Sequence, residues 1–191
     1  MIIKNIFYKI YNYLQNILNH KMSNISKCLL HQNNNKNDVI DWLLSFNHTH
    51  FLTIQFPNNM KTEDSAVSQD YLRKLMAKFE SFLIGRHWNK KHLPFIAFAE
   101  KGKGLSWHYH LLINSGKYTT NQLQTALDNA SHQLNLPTEL ICLEEITNPE
   151  RLCTYCLKEV SFYQNNKIDT NRIISSSMLF CLENKTPSIT Q

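Results

Sequence analysis

The chain has 191 residues, 42% hydrophobic and 18% charged, which fits one globular domain and is short for two. Its 4 glycines and 5 prolines argue against a loop-rich or repetitive architecture. The net charge of +5 comes from residues 1–37, which hold five lysines and no acidic residue, so a nucleic-acid surface on the remaining chain must come from local basic clusters.

The N-terminal part is predicted to be an appended helix. Apolar residues recur there at helical spacing: Ile2, Ile6, Ile10, Tyr13 and Ile17. Such a helix packs on the domain, lies on a membrane surface or contacts a partner, and the first is the commonest outcome. The asparagine-rich segment 31–37 is predicted to be a linker, which divides the chain into residues 1–37 and a main domain, 38–191.

Cysteine usage indicates the compartment. The five cysteines, at 28, 142, 153, 156 and 181, are odd in number and lack a disulfide-like spacing, and no secretory signal precedes them. Polar residues interrupt every apolar run near the N-terminus. We therefore expect a cytoplasmic protein without a membrane span.

The main domain is predicted to alternate strands and helices. Runs of β-branched and aromatic residues predict four strands, over 49–56, 93–100, 106–114 and 138–146. Apolar residues at helical spacing predict three helices, over 65–88, 119–135 and 147–163. The order βαββαβα predicts an α+β fold, an antiparallel sheet with helices on one face and the other face free for chemistry or binding.

Helix caps and buried faces follow from the same segments. Asp64 or Ser65 is expected to cap the first helix, and Thr147 or Asn148 the last, with Pro149 in its first turn. The buried face of the first helix is predicted to hold Val67, Tyr71, Leu75, Phe79 and Phe82. That of the second helix is predicted to hold Leu123, Leu127 and Leu134.

Two histidines stand two residues apart on the third predicted strand. His108 and His110 therefore project from one face of the sheet, and Glu100, at the end of the preceding hairpin strand, is expected to turn onto that face. Two imidazoles and a carboxylate leave positions open for water or substrate, which favours Mn²⁺ or Mg²⁺ acting on phosphate, with zinc as a chemical alternative. An HxH pair alone is more often a pair of surface residues.

The segment YCLKE places Tyr155, Lys158 and Glu159 on one side of the last predicted helix. Five residues remain for packing: Leu152, Cys153, Cys156, Leu157 and Val160. A tyrosine beside a lysine and across from a metal suits nucleophilic attack on phosphate, because the phenol must ionise and the phosphate charge must be masked. Alone, the segment is an ordinary amphipathic helix with a solvated lysine.

FLTIQF, HYH and YCLK occur in this order at residues 51–56, 108–110 and 155–158. Together they resemble the motifs of the HUH endonuclease superfamily, and especially the single-tyrosine replication initiator (Rep) proteins of rolling-circle plasmids and single-stranded DNA viruses. The resemblance covers about residues 49–164. It implies a ferredoxin- or RRM-like nuclease fold.

The resemblance implies metal-dependent, sequence-specific nicking and joining of single-stranded DNA. Tyr155 would attack the scissile phosphate, leaving a 5′-phosphotyrosine link and a free 3′-OH, and Lys158 would position charged groups. Glu100, His108 and His110 would hold the metal. The expected role is to start rolling-circle replication of a plasmid, phage or virus-like element.

The alternation of side chains along a strand and the positions of basic residues predict the DNA contacts. Thr53 and Gln55 share one face of the first strand and are expected to face DNA, with Leu52, Ile54 and Phe56 in the core. Basic candidates are Lys101, Lys103 and Arg151. The expected partner is single-stranded or hairpin origin DNA. No GxxxxGK[ST] motif occurs, so a host helicase and polymerase are expected to act in trans.

Two other functions remain open. A single-tyrosine transposase would use the same residues on the ends of a mobile element. An RRM-like module would bind single strands without cutting them, through aromatic residues on its sheet, for which the candidates are Phe98, Trp107 and Tyr109.

Two weaker motifs complete the sequence. His48 and His50 form a second HxH pair without an upstream glutamate, although His50 could line the cleft. Cys153 and Cys156 form a single CxxC, a weak sign of zinc or redox chemistry, and we expect both to face the core around Tyr155.

Overall fold

Five antiparallel strands form one sheet in the computed structural model, which describes residues 36–102, 107–160 and 172–181. The strands are β1 His50–Gln55, β2 Phe95–Lys101, β3 Trp107–Ile113, β4 Ile141–Glu145 and β5 Ile173–Ser175. Their order across the sheet is β4-β1-β3-β2-β5. The expected α+β class with an antiparallel sheet is therefore confirmed, and β5 is an additional strand.

The described residues form five α-helices around the sheet: α1 Lys36–Leu44, α2 Ser65–Ile84, α3 Thr120–Gln133, α4 Pro149–Val160 and α5 Ser176–Cys181. Short 3₁₀ helices cover Asn58–Met60, Trp88–Lys90 and Thr138–Leu140. The first long helix, predicted over 65–88, ends at Ile84 because Gly85, with φ of 78°, follows as its cap. None of the described helices has the length and apolar character needed to cross a membrane.

The main core lies between one face of the sheet and helices α2 and α3. Leu52 and Ile54 of β1, and Phe56 just after it, point into this core, as predicted from the alternation of side chains along the strand. The α2 stripe is offset from the predicted one, since Leu72, Leu75, Met76 and Phe79 are buried whereas Val67 and Phe82 are 40% and 43% exposed. Leu123 and Leu127 of α3 are buried as expected, and Leu134 is partly buried.

The opposite face, which carries His108 and His110, is also covered by helices. Helix α4 packs on β2 and α1 packs on α4. Leu112 of β3 shares a cavity of about 310 Å³ with residues of both helices, including Leu43 and Cys153. The prediction of helices on one face only is therefore wrong, because an apolar stripe shows which side of a helix is buried and does not show which face of the sheet it covers.

Local capping signals set the starts of the helices. Asp64 caps α2 through hydrogen bonds that its side chain accepts from Ala66 N and Val67 N. The Asn148 side chain accepts from Arg151 N at 3.0 Å at the start of α4, which confirms the second of the two predicted caps there.

The predicted N-terminal helix, 2–18, and nearly all of the predicted linker lie outside the described residues. Helix α1 begins at Lys36 and so takes in the last two residues of that linker. The end of the last predicted helix, 161–163, also lies outside the described residues.

Candidate metal centre

Strand pairing brings the three predicted metal ligands together. Glu100 of β2 lies directly opposite His108 of β3, and His110 follows two residues later on the same face. One carboxylate oxygen, Glu100 Oε2, lies 3.1 Å from Nε2 of His108 and 3.1 Å from Nε2 of His110. One ligand atom from each residue lies within 4.8 Å of the others.

These three donors fit a divalent cation that keeps coordination positions open for water or substrate. Both imidazoles point Nε2 at the same carboxylate oxygen, so the three groups already converge on one small volume. A mixed nitrogen and oxygen set without thiolate suits Mn²⁺, Mg²⁺ or zinc. Among the described residues, Glu100, His108 and His110 form the one cluster of three or more such side chains close enough to share an ion.

Burial keeps His110, the more buried of the two histidines, neutral. His110 is almost completely buried, and desolvation, followed by the nearby His108, lowers its pKa below the usual range, while Glu100 acts in the opposite direction. A neutral imidazole has a lone pair for a cation near neutral pH, whereas an imidazolium has none.

Two residues of β1 hold the His110 ring. Thr53 lies directly opposite His110 in the sheet, and its Oγ1 is 3.1 Å from His110 Nδ1. Phe51 stacks on the ring, with centroids 5.4 Å apart and planes 10° apart. The Thr53 hydroxyl thus contacts His110, a candidate metal ligand, and the sequence does not reveal this contact. That Thr53 faces DNA stays a prediction.

Tyr155 lies beside the cluster and is open to solvent. Its ring packs edge-on against His110, with centroids 5.5 Å apart, and 45% of the residue is exposed. The same helix buries Cys153, Cys156 and Leu157, as predicted. Because the opposite side of helix α4 is buried, Tyr155 lies at the edge of the cluster.

The basic residues of α4 share the exposed side of the helix. Arg151 and Lys158 are both exposed and lie four residues before and three residues after Tyr155. That spacing places all three side chains on one side of the helix. This side is a candidate surface for a phosphate backbone.

The other predicted DNA contacts have different surroundings. Gln55 is exposed and lies opposite His108 in the sheet. The Lys101 ammonium lies 3.9 Å from the Glu63 carboxylate and 5.8 Å from the centre of the Trp107 ring. Lys103 lies outside the described residues.

The aromatic residues of the central strands are largely inaccessible. Phe98 and Tyr109 are buried, and the Tyr109 hydroxyl donates to Ser68 Oγ at 2.9 Å. Trp107 is half-buried, with the Arg172 guanidinium 5.5 Å from its ring centre. Two of the three side chains that an RRM-like binder would stack on bases are therefore in the interior.

The second HxH pair does not converge. His50 Nε2 lies 3.1 Å from the Thr120 hydroxyl, and its Nδ1 lies 2.9 Å from that of Thr49. His48 lines the cavity beside Leu43 and Cys153 instead, and neither of its buried ring nitrogens has a hydrogen-bond partner among the described residues. These two histidines have separate surroundings and do not form a site.

Comparison with known protein families, curated proteins and solved structures finds no match for this chain.

Proposed function

We propose that this protein is a metal-dependent endonuclease of the single-tyrosine HUH type that nicks and rejoins single-stranded DNA. The observation that carries the proposal is the position of Tyr155, which is exposed while its ring touches His110 of the Glu100, His108 and His110 cluster. A nucleophile that substrate can reach next to a cation site is the arrangement that phosphoryl transfer requires.

The reaction is a transesterification. Tyr155 loses its phenolic proton, its oxygen bonds to the scissile phosphorus, and the bond from phosphorus to the 3′ oxygen breaks. The departing 3′ oxygen takes up a proton, so a free 3′-OH and a 5′-phosphotyrosine link result. The reverse reaction with a 3′-OH rejoins the strand and releases the tyrosine.

Each group has a separate task. When bound, a divalent cation masks phosphate charge and polarises the scissile phosphate. Glu100, His108 and His110 hold that cation site in the sheet, while Arg151 and Lys158 bring positive charge to the side of α4 that presents Tyr155. We expect the exposed Gln55, which lies opposite His108, to contact the nucleotide next to the scissile phosphate.

The strand order supports the same class. Along the chain, strands β1 to β4 and helices α2 to α4 follow one another as βαββαβα, the order predicted for the main domain. We propose that the biological role is the initiation of rolling-circle replication at single-stranded or hairpin origin DNA, with host helicase and polymerase acting in trans.

The polarity of the covalent product tests the proposal. A pool of single-stranded oligonucleotides with a randomised segment is labelled at the 3′ or the 5′ end and incubated with protein and Mn²⁺. We expect an adduct stable to denaturing electrophoresis from the 3′-labelled pool and a released fragment from the 5′-labelled pool. Tyr118→Phe, a tyrosine just before α3, should behave like the wild type, and Tyr155→Phe should give no adduct. An adduct that persists in Tyr155→Phe or in EDTA contradicts the proposal.

A further inference from the structure

The His110 ring is fixed from three sides by residues of two elements, β1 and α4. Thr53 reaches its Nδ1 from β1, Phe51 covers one flat face, and Tyr155 meets it edge-on from α4. Its remaining nitrogen, Nε2, points at Glu100 Oε2. The ring therefore has one nitrogen for the cluster and one for Thr53.

The hydrogen-bond chemistry of the two nitrogens is complementary. A carboxylate only accepts, so when His110 bonds Glu100 through Nε2, that nitrogen carries the ring proton and Nδ1 is an acceptor. When Nε2 gives its lone pair to a cation, the single proton of the neutral ring is on Nδ1, which then needs an acceptor. A hydroxyl can donate in the first case and accept in the second.

We propose that Thr53 is a positioning residue for His110, which holds Nε2 toward the cation site through a hydrogen bond to Nδ1 that its hydroxyl can make in both the cation-free and the cation-bound protein. The proposal rests on the proposed function, since it assumes that the cluster binds a cation. Thr53 would act through His110 and touch neither the cation nor the DNA.

Residue type and strand position support this role. Thr53 and Phe51 are two residues apart on β1, so both face the neighbouring histidine, one at Nδ1 and the other on the ring face. The ring is nearly parallel to Phe51, at 10°, which restricts tilting, whereas the hydrogen bond restricts rotation in the ring plane. Partners of this kind fix the orientation of a ligating histidine and raise its affinity for metal.

Cation affinity, measured without DNA, tests the proposal. Free Mn²⁺ is counted by electron paramagnetic resonance during titration of the wild type, Thr53→Val and Thr53→Ser. Thr53→Val has nearly the same shape but no hydroxyl, and it should weaken Mn²⁺ binding by about 10- to 100-fold, the usual effect of losing such a partner. Thr53→Ser keeps the hydroxyl and should remain within about threefold of the wild type.

A matched control separates this effect from general loss of stability. Thr49 also contacts a histidine, with its Oγ1 2.9 Å from His50 Nδ1, but that pair is not part of the cluster. Thr49→Val should lower the thermal midpoint and leave Mn²⁺ affinity unchanged. An equal loss of affinity in Thr49→Val and Thr53→Val would overturn the positioning role.

A spectroscopic measurement on the unmutated chain gives a second test. In protein loaded with diamagnetic Zn²⁺, proton–nitrogen correlation spectra should place the His110 proton on Nδ1, in slow exchange with water. Rapid exchange of that proton, or unchanged Mn²⁺ affinity in folded Thr53→Val, overturns the inference and leaves the proposed nuclease intact. A wild-type protein that binds neither cation overturns the inference together with the metal-dependent step of the proposed function.

Discussion

Tyr155 lies edge-on to His110, with ring centroids 5.5 Å apart and planes at 74°. The two residues come from α4 and β3, so the candidate nucleophile and the candidate metal ligands are carried by different elements. Changing one of them should therefore leave the other in place.

The metal ligands should be separable from the nucleophile. We expect His108→Ala to weaken Mn²⁺ binding by more than about 100-fold, because it removes a ligand, and loss of a supporting partner alone costs 10- to 100-fold. Tyr155→Phe should bind Mn²⁺ like the wild type. Equilibrium dialysis measures both, with the exposed His87→Ala as the control. Wild-type affinity in His108→Ala would show that the cluster is not the cation site.

His48, whose two ring nitrogens are buried, should make the protein acid-sensitive. Burial lowers its pKa from 6.5 to about 4, so between these values the unfolded chain binds a proton that the folded protein does not. The free energy of unfolding should therefore fall by about 3 kcal/mol from this residue as the pH drops from 6.5 to 4.

Urea unfolding at several pH values measures this contribution. In His48→Leu the loss of stability over that range should be smaller than in the wild type by about 3 kcal/mol. Parallel curves for the wild type and His48→Leu would contradict the account of this residue.

The buried Glu80 should stabilise the junction of α2 with the segment before β2. Its carboxylate, fully buried, accepts hydrogen bonds from His92 Nδ1 and Leu93 N, both at 2.7 Å. Burial raises its pKa, although His92 acts against the shift. We expect Glu80→Ala to lower the free energy of unfolding by about 3 kcal/mol, since it leaves the buried Leu93 N–H and the half-buried His92 imidazole without their acceptor.

Chemical denaturation of three variants checks this prediction. Glu80→Gln retains one acceptor oxygen and should lose less stability than Glu80→Ala. Glu63→Ala removes an exposed carboxylate 3.9 Å from Lys101 and should change stability by less than about 1 kcal/mol. Similar losses in Glu63→Ala and Glu80→Ala would show that the buried hydrogen bonds contribute little.

The CxxC cysteines of α4 should be chemically inert in the folded protein. Cys153 and Cys156 are buried free thiols, and burial raises the pKa of Cys153 to about 11 and that of Cys156 further. Of the cysteines at 142, 153 and 156, iodoacetamide should modify the exposed Cys142 in the folded protein and the other two only after unfolding, as read by peptide mass spectrometry. Equal rates in the folded state would favour a redox or metal role for the pair.

The candidate ligand set could be predicted because it depends on local geometry. A two-residue repeat puts His108 and His110 on one face, and a short hairpin brings Glu100 beside them. The contact of Thr53 with His110 could not be predicted, since the two residues are 57 positions apart and meet only through the pairing of β1 with β3. Nothing local to either segment specifies that pairing.

The elements missing from the prediction are short. Strand β5 has three residues, too few to show an alternating pattern, and α1 has nine, with Val39 and Leu43 as its fully buried apolar residues. Longer elements showed their period clearly, although the α2 stripe was offset because Val67 and Phe82 lie at its edges. Among the helices and among the strands, the shortest were therefore the ones that the sequence did not reveal.

Identification of the residue bonded to DNA decides whether Tyr155 is the nucleophile. The adduct formed with Mn²⁺ is digested with nuclease and trypsin, and the tryptic peptide 152–158, LCTYCLK, is fragmented by mass spectrometry. We expect a nucleotide joined through its 5′ phosphate to Tyr155. A nucleotide on any other residue, or cleavage of DNA without a covalent adduct, would contradict this assignment.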